Sequence, residues 1–312
     1  MIRLVVLSLI LLVFSSCAEK SLKPGEGYVE VTGGRVWYRV VGSGTETPLL
    51  LLHGGPGVPS YYLKPLARLS DERPVVLYDQ LGAGHSDHPA DSSLWRVDRF
   101  VEELQQVRDA LGLREIHLLG HSWGAMLAAE YMLTNPKGVR SLILASPCLS
   151  ASRWVKDADS LLSTLPDSTQ EVIRKHESAG TTDAPEYQAA VLAFYKLYIS
   201  RLDPWPPDLD SSLAQMNAEV YEKMWGPSEF NVTGSLKNFE RAGALGNLNV
   251  PVLFTAGRYD DITPATVEYY HSLTPNSHLV IIENSAHLTM LDQPERYVQV
   301  VREFLREVES KR

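Results

Sequence analysis

Residues 115–130 read EIHLLGHSWGAMLAAE, and this stretch decides the fold. Ile116, Leu118 and Leu119 form an apolar run that reaches Gly120-His121-Ser122-Trp123-Gly124 and passes straight into helix-forming residues. The order is strand, sharp turn, helix. The turn spells G-x-S-x-G, in which a serine on a strained backbone pushes its hydroxyl out above a sheet edge. Glycines stand at 120 and 124 because a side chain there would collide with the neighbouring strand or helix. The Trp123 amide opens the helix and points into the same space, where it can donate to a developing oxyanion. Ser122 is the candidate nucleophile.

Working outward, continuous apolar runs recur at Leu49–Leu52, Pro74–Tyr78 and Val139–Ala145, as expected of strands covered on both faces. Tyr28–Val31 and Val36–Val41 flank the Gly33-Gly34 turn and read as a hairpin. Between strands lies a helix with an apolar stripe of Val97, Phe100, Val101, Leu104, Val107 and Leu111, capped by Asp91, Ser92 or Ser93 and ended by Gly112. Alternating strands and helices predict a mostly parallel sheet with helices on both faces, an α/β fold. The pattern then changes. Residues 147–246 show no buried strand; helical stretches such as 189–201 alternate with breakers such as Asp203-Pro204-Trp205-Pro206-Pro207. This predicts a helical lid inserted over the active edge. The sheet resumes at Pro251–Thr255 and Leu279–Ile282, and a last helix with Pro294 in its first turn packs Tyr297, Val298, Val301, Phe304 and Leu305. The core is therefore expected over 27–146 and 247–312.

Several of these strands end in residues with chemistry. His53-Gly54-Gly55-Pro56-Gly57 follows a buried strand, where glycines let the backbone approach a ligand and leave amides free to donate. Asp79–Asp87 is a second glycine-rich loop, but it lacks both G-x-x-x-x-G-K-[ST] and a G-x-G-x-x-G that opens a helix, which excludes a phosphate loop. The strand at 251–255 leads into Gly257-Arg258-Tyr259-Asp260-Asp261, and the strand at 279–282 leads into Asn284-Ser285-Ala286-His287. Serine, acid, histidine is the chain order of a triad on this kind of sheet. His287 as a neutral imidazole takes the Ser122 proton and returns it to the leaving group. His85 and His88 have no third ligand in sight and read as loop surface.

The 312 residues are 44% hydrophobic and 21% charged with a net charge of −9, a balance that speaks against a nucleic-acid surface. Arg3, the apolar run Leu4–Phe14 and Ser15-Ser16-Cys17 make an export leader over 1–16, too short to span a bilayer. Residues 17–26 read as a polar tether. Phe14-Ser15-Ser16-Cys17 resembles a bacterial lipobox, which implies a lipid on Cys17 and an envelope location. Cys148 is the one other cysteine, expected to be a buried small hydrophobe.

His53-Gly54-Gly55-Pro56-Gly57, Asp79-Gln80-Leu81-Gly82, Gly120-His121-Ser122-Trp123-Gly124-Ala125, Gly257-Arg258-Tyr259-Asp260, His287, and Gly226-Pro227-Ser228-Glu229-Phe230 with Thr233-Gly234 together resemble the proline iminopeptidase group of α/β-hydrolases. The likeness runs through nearly everything after the leader. It implies Ser122 as nucleophile, Asp260 as acid and His287 as base, with the amides of Gly55 and Trp123 as oxyanion donors. It further implies Glu229 and Asp261 as binders of the substrate's N-terminal ammonium. Ala83 departs from the pattern, since many relatives carry Cys there, and sensitivity to thiol reagents is in doubt. The implied activity is removal of an N-terminal residue, preferably proline, from short peptides or aminoacyl substrates, with no metal or organic cofactor. An esterase, lactonase or amidase on the same scaffold is the alternative, and a non-catalytic surface binding protein is the reading from another class. Oligomeric state is not legible in the residues.

Overall fold

The computed structural model describes residues 22–311. The leader and Cys17 lie outside the described residues. Eight strands form one sheet: β1 (Gly25–Val31), β2 (Gly34–Val41), β3 (Leu49–Leu52), β4 (Val75–Tyr78), β5 (Ile116–His121), β6 (Val139–Ala145), β7 (Val252–Gly257) and β8 (Ser277–Ile282), in the order β1-β2-β4-β3-β5-β6-β7-β8. The hairpin β1–β2 and the β2–β4 pair are antiparallel, and every pairing from β4 to β8 is parallel. β1 starts at Gly25, so the last two residues of the expected tether already pair with Val40 and Arg39.

The apolar runs behave as strands buried on both faces. Leu50, Leu52, Val76, Tyr78 and Leu118 enter one core, while Leu49, Leu51, Val75, Leu77 and Leu119 enter the other, as the two-residue period of a strand demands. The first core holds helices α1 (Val97–Ala110) and α2 (Trp123–Leu133). One expectation is corrected here. Asp91 does not cap α1; its side chain accepts from the Ser93 amide and caps the separate short turn Ser92–Leu94. Helix α1 begins after Arg96 with no side-chain cap, and Asp98 in its first turn supplies the negative charge that favours that end.

Between β6 and β7 the chain is helical: α3 (Ala151–Leu162), α4 (Asp167–Ala179), α5 (Pro185–Tyr198), α6 (Pro207–Ala214) and α7 (Ala218–Met224), then short 3-10 turns to Asn247. After β7 come α8 (Pro264–Leu273), α9 (Thr289–Asp292) and α10 (Pro294–Ser310), the last burying Tyr297, Val298, Val301, Phe304 and Leu305 in the second core. Among the described residues no helix is long and apolar enough to cross a membrane.

The inserted helices are tied to the C-terminal edge of the sheet by backbone and side-chain bonds. The amides of His287 and Leu288 donate to the carbonyls of Tyr198 and Ile199 at the end of α5 (3.0 and 2.9 Å). Asn217, before α7, donates its amide to Gly57 O (3.0 Å) and its side chain to Gly82 O (2.9 Å). Asp157 on α3 accepts from the Thr263 hydroxyl at 3.0 Å. The insertion is thus stitched to three of the loops that the sequence singles out for chemistry.

Candidate active site

β5 ends at His121, and Ser122 follows with φ 55° and ψ −121°, a conformation that costs a non-glycine residue energy. The two motif glycines explain how this turn is held. A Cβ at Gly120 would stand 2.1 Å from the Gly124 carbonyl oxygen, and one at Gly124 would stand 2.3 Å from the Leu52 carbonyl oxygen. Helix α2 and strand β3 therefore approach as closely as the backbones allow. Trp123 is the first residue of α2, so its N–H belongs to the helix end that has no intrahelical acceptor.

β7 and β8 end beside β5 and β6 at the same edge of the sheet. His287 donates from Nδ1 to Asp260 Oδ1 at 2.9 Å. Asp260 is completely buried and accepts three further bonds: Ser146 Oγ (2.7 Å) and the Gly257 amide (3.1 Å) at Oδ2, and the Ile262 amide (3.1 Å) at Oδ1. Burial opposes the charge on Asp260, yet His287, Ser146 and the amides outweigh it and hold its carboxyl below the usual range. Burial likewise draws the His287 ring down, and the Asp261 and Asp260 carboxylates overcome it and hold the imidazole well above the usual histidine range. With Nδ1 carrying the donated hydrogen, Nε2 of the neutral ring is the acceptor.

His121, the residue before Ser122, ties the turn to the His287 loop. His121 Nε2 donates to the His287 carbonyl (3.0 Å), and the two rings pack edge to face with centroids 4.7 Å apart. The Gly54 amide donates to Tyr62 Oη (2.6 Å), and Tyr62 Oη in turn donates to His121 Nδ1 (2.9 Å). Burial pushes the His121 pKa down to about 3, so this ring is a neutral link and not a second base.

The glycine-rich loops are held by a second buried chain. The Gln80 amide donates to His53 Nε2 (2.8 Å), which leaves the hydrogen on Nδ1 to bond Gly54 O (2.9 Å). The Gln80 side chain donates to His53 O (3.0 Å) and accepts from Trp123 Nε1 (2.8 Å). Gly55 has φ +107°, and a Cβ there would meet the Val58 amide nitrogen at 2.7 Å. The loop is built for glycine at this position.

Glu229 comes from the inserted segment. It is half-buried, and its Oε1 accepts from Tyr221 Oη (2.7 Å), while Trp154 Nε1 and Trp225 Nε1 both donate to its carbonyl (2.8 and 3.2 Å). Asp261, expected beside it as an ammonium binder, lies against the catalytic-edge histidine. Its Oδ1 lies 2.8 Å from His287 Nδ1, and its Oδ2 is buried without a hydrogen-bond partner. Burial, opposed by His287 and reinforced by Asp260 and Glu229, pushes Asp261 up to about 8. Among the described residues, Asp260, Asp261 and His287 are the one group close enough to share a metal ion, with ligand atoms within 4.8 Å of one another. Of those atoms, His287 Nδ1 and Asp260 Oδ1 are already joined by the hydrogen bond between them. His85 and His88 are exposed loop residues, as expected, and Cys148 is buried.

Tyr62, Ser146, Trp154 and Tyr221 escape a reading of the sequence. Each is an ordinary polar or aromatic residue with no motif around it. Gln80 stands inside the Asp79-Gln80-Leu81-Gly82 stretch, but its bonds to His53 and Trp123 are not legible there.

Comparison with known proteins follows the same lines. Residues 47–294 match the family described as the alpha/beta hydrolase fold. A proline iminopeptidase of Heyndrickxia coagulans is 50% identical over 285 residues, covering 91% of this chain and 99% of that protein. Among solved structures, VinJ superimposes with a TM-score of 0.89 at 37% identity, covering 92% of this chain and 100% of its own. The proline iminopeptidase of Mycobacterium smegmatis gives 0.85 at 34% identity, covering 92% and 99%.

Proposed function

The chain belongs to the proline iminopeptidase family of the alpha/beta hydrolase fold, and on that premise we propose that it is a serine aminopeptidase releasing an N-terminal residue, preferably proline, from short peptides. The observation that carries the reading is a carboxylate-bound imidazole, His287, at the sheet edge where the strained Ser122 turn stands. Ser122 Oγ attacks the scissile carbonyl carbon while its proton passes to His287 Nε2. The amides of Gly55 and Trp123 donate to the resulting oxyanion. Asp260 holds the ring and balances the imidazolium charge. The imidazolium then protonates the leaving amine, the C–N bond breaks, and the shortened peptide departs. Water, deprotonated by the same ring, hydrolyses the acyl-enzyme.

Glu229 and Asp261 take the free ammonium of the substrate. Support comes from two carboxylates beside the histidine, one with an unsatisfied buried oxygen, in a pocket where an unpaired cation would be costly. The helices of 147–246 act as a lid, and their bonds to the catalytic loops favour small substrates over folded proteins. Esterase, lactonase and binding-protein readings are not favoured by relatives of this identity. Hydrolysis of proline, alanine and leucine naphthylamides tests the proposal: proline is expected to be cleaved fastest. Turnover of acyl esters with none of any aminoacyl naphthylamide would overturn it.

The leader over 1–16 and the lipobox-like residues before Cys17 support an exported, lipid-anchored enzyme. Cys17→Ser is expected to release soluble protein or leave the leader uncleaved, read by membrane fractionation and by mass spectrometry of the N-terminus. An unmodified Cys17 in native material contradicts the anchor.

A further inference from the structure

Two adjacent carboxylates converge on one imidazole nitrogen. His287 Nδ1 is 2.9 Å from Asp260 Oδ1 and 2.8 Å from Asp261 Oδ1, with the N–H directed at Asp260 and Asp261 flanking it. Neighbouring side chains in an extended strand point to opposite faces, so this convergence needs a turn. The loop after β7 provides it. The Asp260 amide donates back to Gly257 O (3.3 Å), and the single amide of Ile262 donates to both Asp260 Oδ1 (3.1 Å) and Asp261 Oδ1 (3.0 Å). One N–H thus gathers both oxygens in front of the ring.

We propose that Asp261 is a positioning residue for the base: a second carboxylate on His287 Nδ1 that shares the imidazolium charge with Asp260 and keeps the ring oriented when Asp260 is removed. The inference rests on the reading of His287 as the base of Ser122. It uses Oδ1, whereas the ammonium role uses Oδ2, so the two are separable.

The surroundings leave these carboxylates in control of the ring. Asp260 and Asp261 face His287 from the loop after β7, Glu229 from the segment after α7, the neutral His121 ring from β5 and the Trp154 ring from α3. Around Asp261 stand also Cys148 and Tyr195, both raised by burial and therefore uncharged. The imidazolium opposes the rise of the Asp261 carboxyl just as that carboxylate lifts the ring, so the two charges form together, and removing Asp261 takes away one of the carboxylate influences that lift His287. A base must be neutral to act, so a lower histidine pKa moves the acid limb of activity to lower pH.

The test is the rate at which an uncharged fluorophosphonate labels Ser122 as a function of pH, in the wild type, Asp260→Asn, Asp261→Asn and the double variant. This probe carries no ammonium and is blind to the other role of Asp261. Asp261→Asn is expected to lower the acid limb by about one pH unit, the smaller end of the effect of a nearby opposite charge. Asp260→Asn is expected to lose roughly 10- to 100-fold, far less than the ~10⁴-fold loss where a triad has a single acid. The double variant is expected to fall at least about tenfold below Asp260→Asn, given the four decades available when both acids are gone. A purely structural role for Asp261 lowers the plateau and leaves the limb in place, which overturns the proposal. So does a ~10⁴-fold loss in Asp260→Asn alone, the single-acid result, and that measurement decides the matter if Asp261→Asn does not fold. If the wild type is not labelled at Ser122 at any pH, the serine-hydrolase reading falls and this inference with it. If labelling follows the expected pattern while acetylated and free-amine substrates are cleaved alike, only the ammonium role falls.

Discussion

Ser122→Ala is expected to lower turnover of a proline naphthylamide by on the order of 10⁶-fold, about 8 kcal/mol of transition-state stabilisation. The loss is large because the substitution removes the only atom that forms the acyl bond, while His287 and Asp260 have nothing left to deprotonate or balance. The fold is expected to survive. Alanine keeps the Cβ that already fits between Gly54 and the elbow, and the φ of 55° is no harder for alanine than for serine. The Ser122 amide bond to Ala145 O (2.9 Å) is a main-chain bond and is unaffected. The measurement is therefore paired: kcat by naphthylamine release, and binding of free proline by calorimetry. Binding retained with turnover lost fits the proposal. Near-normal turnover removes Ser122 from the mechanism.

The parts of this site that were legible in the sequence are those where backbone geometry forces the residue type. Gly120 and Gly124 are fixed by carbonyl oxygens that a Cβ would strike, so they announce the elbow. Runs such as Leu49–Leu52 announce the sheet because both faces are covered. What could not be read depends on contacts between residues far apart in the chain. Tyr62 bridges Gly54 to His121, and Ser146 holds Asp260 across 114 positions. Neither carries a local pattern, because a hydroxyl can serve any buried acceptor. The Asp91-Ser92-Ser93 run was misleading for a related reason. It satisfies a capping pattern, but the cap closes a short turn before the helix and not the helix itself. The convergence of Asp260 and Asp261 on one ring required the position of the Ile262 amide, which sequence order does not reveal.

Glu229→Gln is expected to reduce kcat/KM for free-amine substrates by about 2–4 kcal/mol, roughly 30- to 1,000-fold, and to change hydrolysis of a neutral aryl ester far less. Glutamine keeps the shape and still accepts from Tyr221, so the hydrogen bond that holds the side chain (2.7 Å) need not be lost. Only the negative charge goes, and a cation brought out of water into this pocket is then left with one carboxylate, Asp261, in place of two. Glu229 is a cleaner probe than Asp261, because Asp261 also lies against His287 and its loss alters the base. Burial raises the Glu229 pKa, with His287 and Tyr221 opposing. The useful ionised form is therefore lost as pH falls through that raised value, and KM for free amines is expected to climb in acid while KM for the ester does not. N-acetylation of the substrate removes the ammonium and provides the complementary experiment. In the wild type it is expected to cost as much as Glu229→Gln or more, and in the variant its effect is expected to shrink. Equal losses on ester and amine, or cleavage of the acetylated substrate as fast as the free amine by the wild type, would show that the carboxylates serve the pocket without reading the substrate's charge.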